Sequence, residues 1–171
     1  MTMQRGQGHV ATTHQSILSE GIHADVVDRV AREKGFHLAS AVEFDRLVGN
    51  PTYAFTKNGR LTKMKADGGW VICPSTGKLI GVSENKDQDA SANACERVFK
   101  YLALVGPGKL FQSPRQIFVS FTGRAFVDGV GGQGLATLEL AKYAGITYTV
   151  NALPEQLEAA VSDWFDFLAS I

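Results

Sequence analysis

The chain has 171 residues, 44% of them hydrophobic, which is enough to bury the core of one domain spanning residues 1–171. Seventeen Lys and Arg balance seventeen Asp and Glu, so no overall charge draws the chain to a polyanion or to a membrane surface. No apolar run has the length of a membrane span and the opening MTMQRGQGHVATTHQ is too polar for a secretory signal, so a cytoplasmic protein that contacts no membrane is expected.

The first strong pattern is HADVVDRVAREKG, residues 23–35, which places Val26, Val27, Val30 and Ala31 on one helical face and closes at Gly35. A short second helix is expected over 42–48. GGWVIC (68–73) and KLIGVSE (78–84) are brief apolar runs joined by PSTG, the signature of a β-hairpin. From Asp87 or Asp89 to about Val105, helical spacing of Ala94, Val98, Tyr101, Leu102 and Val105 predicts a helix. Its acidic start would face the positive end of the dipole, and Gly106-Pro107-Gly108 would end it. QIFVSF (116–121) reads as a strand, 135–143 as a helix and 146–150 as another strand. A final helix over 154–170 opens at Pro154 and packs through Leu157, Val161, Trp164, Phe165 and Leu168. That order predicts an α/β fold, a mixed sheet flanked by helices on both faces.

Charge is not spread evenly along these elements. Residues 54–124 hold eleven Lys and Arg against five Asp and Glu, whereas 125–171 hold one against six. A basic middle between acidic flanks suits a groove for a polyanion. Cysteine and histidine add nothing: Cys73 and Cys95 lack metal-ligand or disulfide spacing, and His9, His14, His23 and His37 are scattered.

The candidate chemistry lies at the hairpin. Asp67 stands at the start of its first strand, in Ala66-Asp67-Gly68-Gly69, and Ser83-Glu84-Asn85-Lys86 closes the second. Strand alternation sends Glu84 and Lys86 to one face and Asn85 to the other, and correct pairing would lay Asp67 beside them. Two carboxylates and an ammonium at one sheet edge suit phosphodiester hydrolysis. Mg²⁺ takes one or two carboxylates plus substrate phosphate, and a nearby lysine can orient water or offset charge on phosphorus. Spacing alone is weak evidence, because an Asp at a turn and E-x-K at a strand end are more often solvated surface charges. Further on, Asn93, Arg97 and Lys100 share a helical stripe at i, i+4 and i+7, with Glu96 beside it. Asn and Arg make the two-pronged hydrogen bonds that match adenine and guanine edges, although a solvated helix face explains the isolated pattern as well.

The ordered set of D-G-G, E-x-K, D-Q-D and N-A-x-E-R followed by lysine resembles the EcoRI/MunI-like type II restriction endonucleases of the PD-(D/E)xK nuclease superfamily. The resemblance runs from about Met64 to Phe126, and QIFVSFTGRAF is similar to the strand after the family's recognition helix. It implies a restriction-endonuclease-like core and a homodimer that cuts double-stranded DNA at a short palindrome, with Mg²⁺ and no nucleotide cofactor. Asp67 and Glu84 would hold the ion, the Asn85 main-chain carbonyl could add a ligand, and Lys86 would position the water. Asn93 and Arg97 would read bases, with Glu96 bracing the arginines, and the shared run implies a site with an AATT-like core.

The chain departs from the family in three places. Ala66 replaces the usual proline, the connection after Lys86 is much shorter, and Ser91-Ala92 replace a glycine-containing run, so outer base pairs are not implied. Related nucleases that nick, repair or resolve junctions are the alternative. A nucleotide-binding enzyme using Gly129-Val130-Gly131-Gly132-Gln133-Gly134 is the reading from another class, but that motif needs a strand directly before it and an acidic residue ending the next strand.

Overall fold

A computed structural model describes residues 5–48, 54–57, 60–63, 66–89, 100–127 and 133–171. Helix α1 (Arg5–Glu33) leads to a two-residue strand β1 (His37–Leu38) and helix α2 (Ala41–Val48). Strands β2 (Ala54–Lys57) and β3 (Arg60–Lys63) pair antiparallel as a separate ribbon. The main sheet is built from β1, β4 (Gly69–Ile72), β5 (Leu79–Asp87), β6 (Ile117–Thr122) and β7 (Thr147–Val150), in the order β1-β4-β5-β6-β7. β1, β4 and β5 pair antiparallel, while β5, β6 and β7 run parallel. Helices α3 (Gln133–Ala144) and α4 (Pro154–Ala169) complete the α/β fold with its mixed five-stranded sheet.

Alternation along the strands divides the core between the two sheet faces. On one face α1 supplies Val26, Val27, Val30 and Ala31, and α4 supplies Leu157, Val161, Trp164, Phe165 and Leu168, packed over Val71 and Phe118. These are the two apolar stripes legible in the sequence. The opposite face carries Trp70, Val82, Val119 and Phe121, covered by Phe44 of α2, Tyr101, Phe111, Phe126 and Ala141 of α3. Helices therefore sit on both faces, as expected.

Three expectations change. Helix α1 begins at Arg5 rather than near His23: the stretch before His23, with Gly6, Gly8 and Gly21, has no apolar stripe to announce a helix, and it contains no proline to interrupt one. Strand β5 runs to Asp87, past the expected end at Glu84, because from Val82 onward it gains β6 as a parallel partner. Asp87 is thus a strand residue and not a helix start. The segment expected to close that helix is instead a 3₁₀ turn, Leu102–Leu104. The intervening residues 90–99 lie outside the described residues.

The glycine run also takes shape where it meets the fold. Gly129–Gly132 lie outside the described residues, but Gln133 and Gly134 begin α3, and a Cβ at Gly134 would fall 1.9 Å from the Ala125 carbonyl oxygen. Glycine there is demanded by the close packing of α3 on the 3₁₀ turn Arg124–Phe126. A turn, not a strand, precedes the glycines, and β7 ends before Asn151 rather than before an acidic residue. Among the described residues, neither of the two features a dinucleotide site requires stands at its position.

Candidate active site

The β4–β5 hairpin brings Asp67 to Glu84. Gly69 pairs with Ser83 and Trp70 with Val82, and the Gly68 N–H donates to the Ser83 carbonyl at 3.0 Å. Carried one step past β4, that register sets Gly68 opposite Glu84, with Asp67 the residue just before it. Glu84 is only 2% exposed, although it is a carboxylate on the same side as Val82 and Trp70. Its carboxyl is raised from 4.5 to about 7, first by burial and then by the charge of Asp67. Lys100, the Tyr101 hydroxyl and a backbone hydrogen bond from Asp67 act the other way and favour the ionised form. The Asp67 Oδ2 atom is itself buried.

Two positions beyond the hairpin complete the surroundings of Glu84. The Tyr101 hydroxyl, buried under the sheet, donates to Glu84 Oε2. The Lys100 ammonium lies 3.6 Å from Glu84 Oε1 and 4.5 Å from the centre of the Tyr101 ring. Lys100, expected on the base-reading stripe, is therefore placed at the Glu84 carboxylate. Tyr101 was legible only as a core position. The signal that it does more is general: a buried phenol needs a hydrogen-bond partner.

Lys86 is half-buried and shares the Glu84 face of β5 by alternation. Asn85 points to the opposite face, where its amide Nδ2 donates to the Ser120 hydroxyl at 2.8 Å. Its side chain is thus committed to the helical side, leaving the main-chain carbonyl as the only Asn85 group proposed for a metal. Asn93, Glu96 and Arg97 lie outside the described residues.

Among the described residues no group of three His, Cys, Asp or Glu side chains forms a metal cage. Mg²⁺ does not need one, since it retains waters and accepts one or two carboxylates. Two carboxylates close enough for one to raise the other form a site whose repulsion a divalent cation would relieve, so Asp67 and Glu84 fit such an ion.

A pocket of about 590 Å³ opens on the other face of β5, where Asn85 and Asp87 meet Ser19, Thr122 and Arg124. It contains neither Glu84 nor Lys86, so cavity size and chemistry point to different faces. None of the described helices is long and apolar enough to cross a membrane. Comparison of the chain with protein-family models, curated proteins and solved structures found no match.

Proposed function

We propose that this chain is a type II restriction endonuclease, hydrolysing phosphodiester bonds of double-stranded DNA with Mg²⁺ at a short palindrome with an AATT-like core. The observation that carries the reading is the meeting of Asp67 and Glu84 across the β4–β5 hairpin, with Lys86 two residues along the same face of β5. Bound Mg²⁺ supplies a more acidic water and neutralises charge that develops on the phosphate. Asp67 and Glu84 are the side chains that would hold it, with the Asn85 carbonyl as a further oxygen. Lys86 orients the attacking water or offsets charge at phosphorus. Lys100 and Tyr101 favour the ionised form of Glu84 and partly offset burial and Asp67, which favour its acid form. Asn93 and Arg97 read base edges and Glu96 braces the arginines. A domain with one such site breaks both strands most simply as a homodimer, each subunit cutting one strand.

Incubating a sequenced supercoiled plasmid with the protein, in Mg²⁺ and in EDTA, tests the reading. Linear DNA in Mg²⁺ alone, with ends mapping to one short palindrome, is the expected result. Nicked circles alone would move the assignment to a nicking nuclease, and intact plasmid under all conditions would remove it.

A further inference from the structure

The residues of β5 that face away from Glu84 and Lys86 form a continuous polar chain with α1 and β6. At its centre is His23 of α1, 1% exposed and in phase with the apolar positions Val26, Val27 and Val30. Its Nε2 lies 2.8 Å from the Ser83 hydroxyl and its Nδ1 2.8 Å from the Ser120 hydroxyl. A neutral imidazole has one N–H and one lone pair, so one serine accepts from the ring and the other donates to it. Ser120 also accepts from Asn85 Nδ2, and the Ser19 hydroxyl lies 3.3 Å from Asn85 Oδ1. Alternate residues of β5, Ser83 and Asn85, are thereby held from α1 on both sides of Glu84.

The same imidazole touches the other catalytic strand. Gly68 follows Asp67 directly, and a Cβ there would lie 2.6 Å from His23 Nε2 and 2.6 Å from Ser83 Oγ. The ring is therefore seated against the backbone one residue after Asp67 while bonded to the residue just before Glu84. An apolar side chain of similar size would fill this space but take the imidazole's hydrogen bonds away from the buried Ser83 and Ser120 hydroxyls. A buried histidine with both nitrogens engaged has a directional role that packing alone does not require.

We propose that His23 is a positioning residue which sets the separation of Asp67 and Glu84 by holding Gly68, Ser83 and Ser120 from the helical side. The proposal rests on the nuclease reading. It makes α1, which supplies no group to the chemistry, responsible for the fit of the cation site.

The test uses the full chain with four substitutions, Ser120→Ala serving as the partner control to Ser83→Ala. His23→Leu keeps bulk and removes both hydrogen bonds, His23→Gln retains a donor and an acceptor, and Ser83→Ala removes one bond. Mn²⁺ binding, followed by electron paramagnetic resonance, reports the cation site independently of cleavage. Plasmid cleavage across a Mg²⁺ titration separates metal affinity from turnover. His23→Leu should weaken Mn²⁺ and raise the half-maximal Mg²⁺ concentration about tenfold, a shift of ~1.4 kcal/mol, while turnover at saturating Mg²⁺ and DNA binding in Ca²⁺ stay within about threefold. His23→Gln should recover most of the loss, and Ser83→Ala should shift metal dependence in the same direction by a smaller factor. Wild-type metal dependence in His23→Leu overturns the proposal. So does a loss in His23→Gln equal to that in His23→Leu, which would mark a purely structural residue. Should His23→Leu fail to fold, unchanged metal dependence in both Ser83→Ala and Ser120→Ala overturns it. Wild-type protein that binds no Mn²⁺ and cuts no DNA removes the nuclease reading, and the proposal with it.

Discussion

Asp67 sits close enough to Glu84 that its charge, added to burial, lifts the Glu84 carboxyl to about 7. A pair arranged in this way suits a cation and strains the fold that carries it. Because the folded-state value lies above the ordinary 4.5, the stability tied to the protonated carboxyl is present below pH 4.5 and is lost as pH rises through 7. Glu84→Gln removes the charge and keeps a group that can accept from Tyr101. It should raise the melting temperature at pH 8, from a gain of at most ~3 kcal/mol, and abolish cleavage. Thermal melts at pH 8 check this; a less stable Glu84→Gln would show that Asp67 does not burden the native state.

Histidine 23 should give the opposite slope. Burial lowers its pKa from 6.5 to about 4, so the stability tied to the neutral ring is present above pH 6.5 and is lost as pH falls through 4. In the wild type this opposes the Glu84 contribution between about pH 4.5 and 6.5. In a Glu84→Gln background that opposition is gone, and the His23 contribution should lower urea midpoints as pH falls from 6.5 towards 4, by the equivalent of ~3 kcal/mol at most. Adding His23→Leu should flatten that fall. A slope unchanged by the second substitution would assign the acid sensitivity elsewhere.

Tyr101→Phe removes a hydroxyl that donates to Glu84 Oε2 under the sheet. The carboxylate loses a bond that favours its ionised form, so the pH midpoint of cleavage should move upward, and stability above that midpoint should fall by roughly 1–3 kcal/mol. Lys100→Ala should shift the midpoint in the same direction, because the 3.6 Å ammonium also favours the charged form. pH–rate profiles of the two variants provide the check. Midpoints that stay at the wild-type value would show that neither group tunes Glu84.

Specificity should fail separately from chemistry. Asn93→Ala and Arg97→Ala should each cost ~1–3 kcal/mol of discrimination between cognate and unrelated DNA, while weak salt-sensitive binding to any duplex persists. Binding titrations on cognate and scrambled duplexes at two salt concentrations separate the effects. Equal loss on both duplexes would place these residues on phosphates rather than bases.

The apolar stripes of α1 and α4 were legible because every in-phase position is buried, from Val26 to Ala31 and from Leu157 to Leu168. Glu84 and Lys86 on one face followed from strand alternation, and the closeness of Glu84 to Asp67 from the hairpin signal PSTG. Strand β1 was too short to register as a pattern. The β2–β3 ribbon was missed even though Asn58-Gly59, a strong hairpin dipeptide, separates AFT-Lys57 from Arg60-LT. The end of β5 was misplaced because Asp87 and Asp89 imitate a helix start. In the fold Asp87 accepts from Thr122 at 2.8 Å, and Asp89 accepts from the Arg124 N–H at 2.9 Å, partners brought near only by the parallel pairing with β6. His23 was hidden for the same reason. Its phase with the buried valines was visible, but Ser83, Ser120 and Gly68 meet it only through tertiary contact.

The most direct test of the central claim is cleavage of the cognate site by Asp67→Ala and Lys86→Ala, with specific binding measured in Ca²⁺. Ca²⁺ should support binding without turnover, because it occupies oxygen sites but organises the reacting phosphate poorly. Both variants should bind that DNA like the wild type and cut it at no detectable rate in Mg²⁺. Cleavage by either within about tenfold of wild type, roughly 1.4 kcal/mol of barrier, would remove that residue from the mechanism and contradict the assignment of the hairpin as the catalytic site.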